Sequence, residues 1–160
     1  MAQPETTGDL TQLGAILDRE HARVLELLAD VQYLCNRRSY LAAARVFAEF
    51  RLLEEQHLRR EEALIAKLAA SGGSPVPLGA RAAQEHEQLR RLIERTWQAL
   101  SRNDAEAFEE AMVRLSEAVD QHERGEKLEL LPALARVLTD TRSAAREVQA
   151  LAGPPPGGVP

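Results

Sequence analysis

Apolar residues recur along most of this chain at alternating steps of three and four, which is the spacing of one face of an α-helix. Short polar or Gly/Pro-rich breaks divide the pattern into four segments, at residues 10–36, 40–70, 78–101 and 104–131. An amphipathic helix of this kind is stable when its apolar stripe is buried against other helices. We therefore expect an all-α fold, an up-down antiparallel four-helix bundle.

The composition is consistent with a single helical domain. The chain has 160 residues, of which 44% are hydrophobic and 4% aromatic, and this favours helix over strand. A net charge of -5 argues against a nucleic-acid partner, which would require a basic face. The single cysteine, Cys35, excludes an internal disulfide and is expected in the core. Because no segment has the pattern of a signal peptide or a membrane span, we expect a cytoplasmic protein without a membrane partner.

The C-terminal part of the chain departs from the periodic pattern. Pro132 lacks an N–H and its ring clashes with the carbonyl of Leu128, so we expect it to break or kink the fourth helix. Residues 141–152 have the composition of a short fifth helix, which Asp140 would cap. Residues 153–160 are rich in Pro and Gly and are expected to form a disordered tail, which leaves 1–152 as the bundle domain.

Histidines interrupt the apolar stripes, one in each predicted helix: His21, His57, His86 and His122. The second and the fourth of them are each followed four residues later by a glutamate, Glu61 and Glu126. Residues i and i+4 lie on one face of a helix, one turn apart, so each His-x-x-x-Glu presents two metal-ligating side chains together.

The two halves of the chain repeat each other at one constant offset in sequence number. The same offset separates three pairs: His21 and His86, His57 and His122, and Glu61 and Glu126. The chain is therefore two copies of a helical hairpin, which we call the hairpin repeat. The first histidine lies equally far before the break in both copies, near Arg38 or Asn103, and the second lies equally far after it. We expect all four imidazoles at the same level of the bundle, within roughly one helical turn.

Two carboxylates at this level would destabilise an apolar core unless something compensates their charge. Two divalent cations would do so, with the histidines as terminal ligands and the glutamates as bridges. Mixed imidazole and carboxylate ligands suit iron, with zinc or manganese as alternatives. The other interpretation is that the six side chains face solvent or satisfy one another.

A ferritin-like centre is not expected. Such proteins use Glu-x-x-His on two helices, and Glu54-Glu-Gln-His57 matches that motif once. The equivalent position before His122 is Val119, so the second motif is absent from the sequence.

The complete set resembles the hemerythrin-like, or HHE cation-binding, family over about residues 10–140. The motifs that carry the resemblance are a single His21, His57-x-x-x-Glu61, a single His86, His122-x-x-x-Glu126, and the exit Leu130-Leu-Pro132. The resemblance implies a four-helix bundle around a non-haem di-iron centre with an oxo or hydroxo bridge. It also implies that the four histidines are terminal ligands and the two glutamates bridging ones.

Two positions depart from the oxygen carriers of that family. Arg90 stands where they have a further histidine, and Lys127 where they have an aspartate. Six protein ligands instead of seven leave more open coordination positions, which favours reactivity over reversible oxygen carriage. The six-ligand set is similar to that of RIC-type iron–sulfur repair proteins, whose cysteine-containing N-terminal domain this chain lacks.

Three residues near the ligands have two interpretations each. Arg90 either attracts anions to the metals or pairs with a carboxylate. Glu20 and Glu85 either orient imidazoles or face solvent.

These observations predict a di-iron protein that binds a small gas or oxidant (O2, NO or peroxide) for sensing or detoxification. One alternative is an enzyme that delivers iron or reduces NO or peroxide with a redox partner. The other is a metal-free helical interaction module.

Overall fold

The computed structural model describes residues 6–70 and 76–137, which form an all-α bundle. Its long helices are α1 (Thr6–Asn36), α2 (Tyr40–Ala70), α3 (Val76–Ser101) and α4 (Ala105–Gly125). A π-helical turn (Glu126–Leu130) joins α4 to a short helix, α5 (Leu131–Val137). Each long helix packs against the next along the chain, and α1 also contacts α4 and α5.

The predicted four-helix fold is confirmed, and the helices lie close to the four predicted segments. The predicted fifth helix at 141–152 and the predicted tail at 153–160 lie outside the described residues. None of the helices in the described part of the chain has the length and apolar character that crossing a membrane requires.

The hairpin repeat extends into the two hairpin loops. Arg38 and Asn103 both adopt positive φ, at 58° and 53°. In each loop the N–H of the following residue, Ser39 or Asp104, donates to the carbonyl five residues earlier, at 2.9 and 3.0 Å. A left-handed residue with this bond ends a helix tightly. Because both loops reverse the chain in the same way, both hairpins carry their histidines to the same depth.

Two apolar clusters lie on either side of a buried polar layer. The loop-side core lies between that layer and the hairpin loops and includes Val31, Phe47, Phe50, Leu100 and Leu115. The far-end core includes Leu17, Leu64, Leu68, Leu130 and Leu134. Cys35 lies in the loop-side core, as predicted.

The apolar face of α2 is wider than the predicted stripe. In the second segment, steps of three and four through Phe50 and His57 predict Val46 and Leu53 in the core, but both are only partly buried. Phe47 and Leu58, which the stripe omits, are fully buried. The physical reason is that α2 packs against α1 on one side and α3 on the other, so it buries more than one stripe.

At the π-helical turn, the offset in sequence number between the two copies of the hairpin repeat increases by one residue. Leu64 and Leu68 of α2 correspond in position to Leu130 and Leu134, which lie one position further along the chain than the offset of the ligands predicts. A π-helical turn accommodates one extra residue within a helix. It therefore allows the leucines that follow it to reach the far-end core without moving the residues that precede it.

The same turn accounts for the behaviour of the chain at Pro132. We expected this proline to break or kink the fourth helix, but the chain continues helically into α5. The irregularity lies in the turn immediately before it, where the Leu131 N–H donates to the carbonyl of Glu126, five residues back.

Candidate metal centre

The polar layer contains all six residues predicted as metal ligands: His21, His57, Glu61, His86, His122 and Glu126. Each of them is at most 5% exposed. One potential ligand atom from each of His57, Glu61, His122 and Glu126 lies within 4.8 Å of the others. The four long helices and the π-helical turn thus bring together side chains that are far apart in the sequence.

Glu126 lies between the two histidines of the first hairpin. Its Oε2 is 2.7 Å from Nε2 of His21, and its Oε1 is 3.1 Å from Nε2 of His57. The carboxylate that faces the first hairpin therefore comes from the second.

Glu61 has the corresponding position between the histidines of the second hairpin. Its Oε2 is 3.0 Å from Nε2 of His86 and 3.2 Å from Nε2 of His122. The geometry therefore groups His21 with His57 and His86 with His122, which the sequence left open.

Several atoms of this layer have no hydrogen-bond partner in the described part of the chain. They include both carboxylate oxygens of Glu126 and the Nε2 atoms of His21, His57 and His122. These atoms are close to one another, but they are not aligned as hydrogen bonds. Buried polar atoms without partners are costly, and cations held between them would satisfy them. The donor set therefore fits divalent metal ions.

The pKa shifts of the buried residues also indicate that the polar layer needs positive charge to balance its carboxylates. Burial alone would lower the pKa of His57, but Glu126 and Glu20 outweigh it and raise that pKa well above its ordinary value. Glu61 raises the pKa of His122 in the same way, against burial. In the opposite sense, burial would raise the pKa of Glu126, but His21 and His57 lower it. In the absence of a cation, protons on the imidazoles would balance the carboxylates.

A further carboxylate faces the Nδ1 atom of every histidine. The pairs are His57 with Glu20 at 3.0 Å, His86 with Glu62 at 2.9 Å, His122 with Glu85 at 3.7 Å and His21 with Glu123 at 3.9 Å. The two shorter contacts are hydrogen bonds. Such partners hold a ligating histidine with its other nitrogen directed to the metal.

The sequence identified only half of these outer carboxylates. Glu20 orients an imidazole, one of the two interpretations above, and Glu85 faces one at a longer distance. Glu62 and Glu123 were missed. Their position in the sequence could have identified them, since each directly follows a predicted ligand, Glu61 or His122.

Arginines at the surface hold three of the outer carboxylates. Arg60 contacts Glu20 at 2.5 Å, Arg81 contacts Glu85 at 3.4 Å, and Arg90 contacts Glu62 at 2.9 Å. Each therefore neutralises a carboxylate that would otherwise leave excess negative charge beside the histidines.

Arg90 and Lys127 both point away from the six residues. Arg90 pairs with Glu55 as well as with Glu62, so of its two interpretations the structure supports carboxylate pairing. Lys127 is 2.9 Å from Asp18, and its side chain is 52% exposed. Neither side chain therefore reaches into the centre, where the oxygen carriers have a ligand at the same position.

A small cavity adjoins the centre on the side of the far-end core. His57, Glu61 and Glu126 form its polar wall, and its apolar wall consists of Leu17, Leu64, Leu130 and Leu134. The cavity has about 10 Å³ of space open to a water-sized molecule. This is close to the minimum that one water molecule requires.

Glu54 is a further buried carboxylate that the site prediction did not include. It is 3% exposed and lies one turn before His57 on α2. In the sequence it served only to test the ferritin-like motif. Burial raises its pKa, and the charges of His57 and His122 offset this effect only in part.

Comparison with known protein families gives a match over most of the chain. A family model described as Hemerythrin HHE cation binding domain matches residues 13–134, a range that contains all six predicted ligands. No curated protein and no solved structure gives a significant match.

Proposed function

The chain belongs to the hemerythrin HHE cation-binding domain family, and we propose that it binds two iron ions between its helices to capture a small gas or oxidant (O2, NO or peroxide) for sensing or detoxification. The observation that carries the proposal is the buried cluster of imidazoles and carboxylates. Iron suits this mixed donor set, although zinc and manganese accept the same ligands.

In this proposal the four histidines, Glu61 and Glu126 would hold the two ions. The support is that each glutamate already lies between two histidine nitrogens, within 3.2 Å of both. Bound iron supplies a Lewis acid and a source of electrons. The protein's own task is to present neutral imidazoles, although folding raises the pKa values of His57 and His122 and so favours their protonated form.

The outer carboxylates and their arginines provide the second part of this task. Glu20 and Glu62 accept hydrogen bonds from the Nδ1 atoms of His57 and His86, so the Nε2 atoms stay directed inwards. The rings are then held before a metal arrives, which reduces the entropy that binding has to overcome.

The leucine-lined cavity closes the far-end side of the centre, because it admits at most about one water-sized molecule. Its apolar wall disfavours charged molecules there. Six protein ligands for two ions leave coordination positions open to a small molecule.

Metal analysis of the purified protein tests the proposal. The protein would be produced in iron-supplemented medium, its metal content measured by mass spectrometry and its near-ultraviolet spectrum recorded. Two irons per chain with charge-transfer absorption that changes on addition of NO or peroxide are expected. A stable helical protein without metal would contradict the proposal and favour the interaction module. Multiple turnovers with a reductant would instead indicate an enzyme.

A further inference from the structure

Glu54 is a buried carboxylate that neither the fold nor the six proposed ligands explain. Only 3% of it is exposed. No other residue in the described ranges forms a hydrogen bond or an ion pair with its carboxyl group. An unpaired carboxyl group in a core destabilises the folded state, so a polar molecule bound beside Glu54 would stabilise this residue.

The layer that contains Glu54 is otherwise apolar. The hairpin repeat places Val119 at the equivalent position of α4. Val24 and Leu89 hold the corresponding positions on α1 and α3, each three residues after a proposed ligand. All three are at most 2% exposed. Glu54 thus makes one side of the centre asymmetric, although the six ligands are arranged symmetrically.

The charges that act on Glu54 are those of the centre itself. Burial is the largest influence on its carboxyl group, followed by the charges of His57, His122 and Glu126. No cation outside the centre is among the main groups that act on it in the described part of the chain. Because Glu54 is buried and precedes His57 by one turn on the same face of α2, its carboxyl group borders the proposed metal site.

Glu54 and the bridging glutamates lie on opposite sides of the histidines. On a helix, side chains lean towards the N-terminus. Glu61 follows His57 by one turn and leans back towards it, whereas Glu54 precedes His57 and lies on the side of the loop-side core. Neither bridging glutamate enters from that side.

We propose that Glu54 hydrogen-bonds the small molecule that the metal pair captures, and so fixes its orientation on the side of the centre opposite Glu61 and Glu126. This inference rests on the proposed function, because it requires the metal pair. The proposal assigns different tasks to the two sides of the centre: the leucines of the far-end core close one side, and Glu54 supplies the one polar contact of its layer on the other.

Azide binding to the iron-loaded protein tests this role. The variants are Glu54→Leu, which removes the hydrogen bond, and Glu54→Gln, which keeps a hydrogen-bonding group of the same size. Glu49→Gln is the matched control, since Glu49 lies on the same helix with its side chain 57% exposed. Absorption titrations at pH 7 measure the azide affinity, and mass spectrometry measures the iron content.

All three variants are expected to keep two irons. Glu54→Leu should weaken azide binding by about tenfold, the loss of one hydrogen bond to a charged group. Glu54→Gln and Glu49→Gln should retain the wild-type affinity within about twofold.

Thermal unfolding of the metal-free protein gives a readout that does not depend on azide. The melting temperature of metal-free Glu54→Leu should equal or exceed that of the wild type, since the variant removes an unpaired buried carboxyl group. A clearly lower melting temperature would show that Glu54 is structural and would overturn the proposal.

Other results overturn the proposal in distinct ways. An unchanged azide affinity in Glu54→Leu rules out the contact, and an equal loss in Glu54→Gln rules out a hydrogen bond as the reason for the lost affinity. Loss of iron from either Glu54 variant would make Glu54 a metal ligand instead. If the wild type itself takes up no iron, the proposed function fails, and the role of Glu54 fails with it.

Discussion

Arg90 donates a hydrogen bond from Nη1 to Oε1 of Glu62 at 2.9 Å, and the same oxygen lies 2.9 Å from Nδ1 of His86. A surface guanidinium, a carboxylate and a buried imidazole are thereby joined by two consecutive hydrogen bonds. Arg90 and His86 lie on α3 and Glu62 on α2, so these hydrogen bonds also connect two helices. The residue that replaces a histidine ligand of the oxygen carriers therefore supports a neighbouring ligand.

Removing this support should weaken metal binding. Glu62→Gln is expected to lower the metal affinity by about 10- to 100-fold, as is typical for partners of ligating histidines. Arg90→Met should cause a smaller loss, because Glu62 itself remains. Competition with a chromophoric chelator measures both. Arg91→Met is the control, since Arg91 is 68% exposed and pairs with Glu87. Wild-type affinity in Glu62→Gln would contradict a supporting role.

His57 should be indispensable for metal binding. His57→Ala removes one of the four side chains whose ligand atoms cluster within 4.8 Å, so fewer than two metals per chain are expected. At a metal concentration of 100 times Kd, binding should stabilise the wild type by about 2.7 kcal/mol, and the variant should lose most of this gain. Thermal unfolding with and without metal measures the difference. Gln56→Ala, at a neighbouring exposed position, should behave as the wild type. Two metals in His57→Ala would contradict the assignment.

Metal binding near neutral pH should release protons. The pKa of His57 is raised well above its ordinary value in the metal-free protein, so His57 holds its proton more strongly than a free imidazole does. A metal requires the neutral ring and must displace that proton. Calorimetry in buffers of different ionisation enthalpy counts the released protons. We expect at least about one per chain, with an affinity that falls as the pH falls. Proton-independent binding would be inconsistent with ligation by His57.

The stability of the metal-free protein should change with pH in the opposite direction. A pKa that is higher in the folded state than in the unfolded state contributes stability below the unfolded value, and this contribution is lost as the pH rises through the folded value. For His57 and His122 the unfolded value is 6.5, and both pKa values are raised by folding. The melting temperature of the metal-free protein should therefore fall as the pH rises above 7. A rise over this range would contradict the electrostatics described above.

The π-helical turn should tolerate the loss of one residue. Deleting Lys127, whose side chain is 52% exposed, removes the extra residue and restores the offset of the hairpin repeat for the leucines that follow. We expect a folded protein whose melting temperature changes by only a few degrees. Deleting Arg114, which is 54% exposed on α4, is the control. It rotates the rest of the helix by about 100° and should remove His122 and Glu126 from the centre. Equal damage by both deletions would contradict the register argument.

The periodicity of the sequence predicts the helices well because it reports which positions each helix buries. It was less reliable for α2, where Phe47 and Leu58 are buried beside the predicted stripe. The π-helical turn was missed, although the separation of Leu64 and Leu130, one position longer than that of Glu61 and Glu126, indicates it. Glu54 was missed as a site residue because a single carboxylate without a repeat partner has no periodic signal.

The sequence by itself determined the helices, the hairpin repeat and the common level of the four histidines. The physical reason is that every residue advances an α-helix by the same rise, about 1.5 Å, so matched distances from two short loops become matched depths. Only the tertiary structure decided that Glu126 faces His21 and His57, and that Arg90 points outwards to Glu55 and Glu62. Such contacts run across the bundle, and they depend on how helices far apart in the sequence pack side by side and on the rotamers that this packing leaves available.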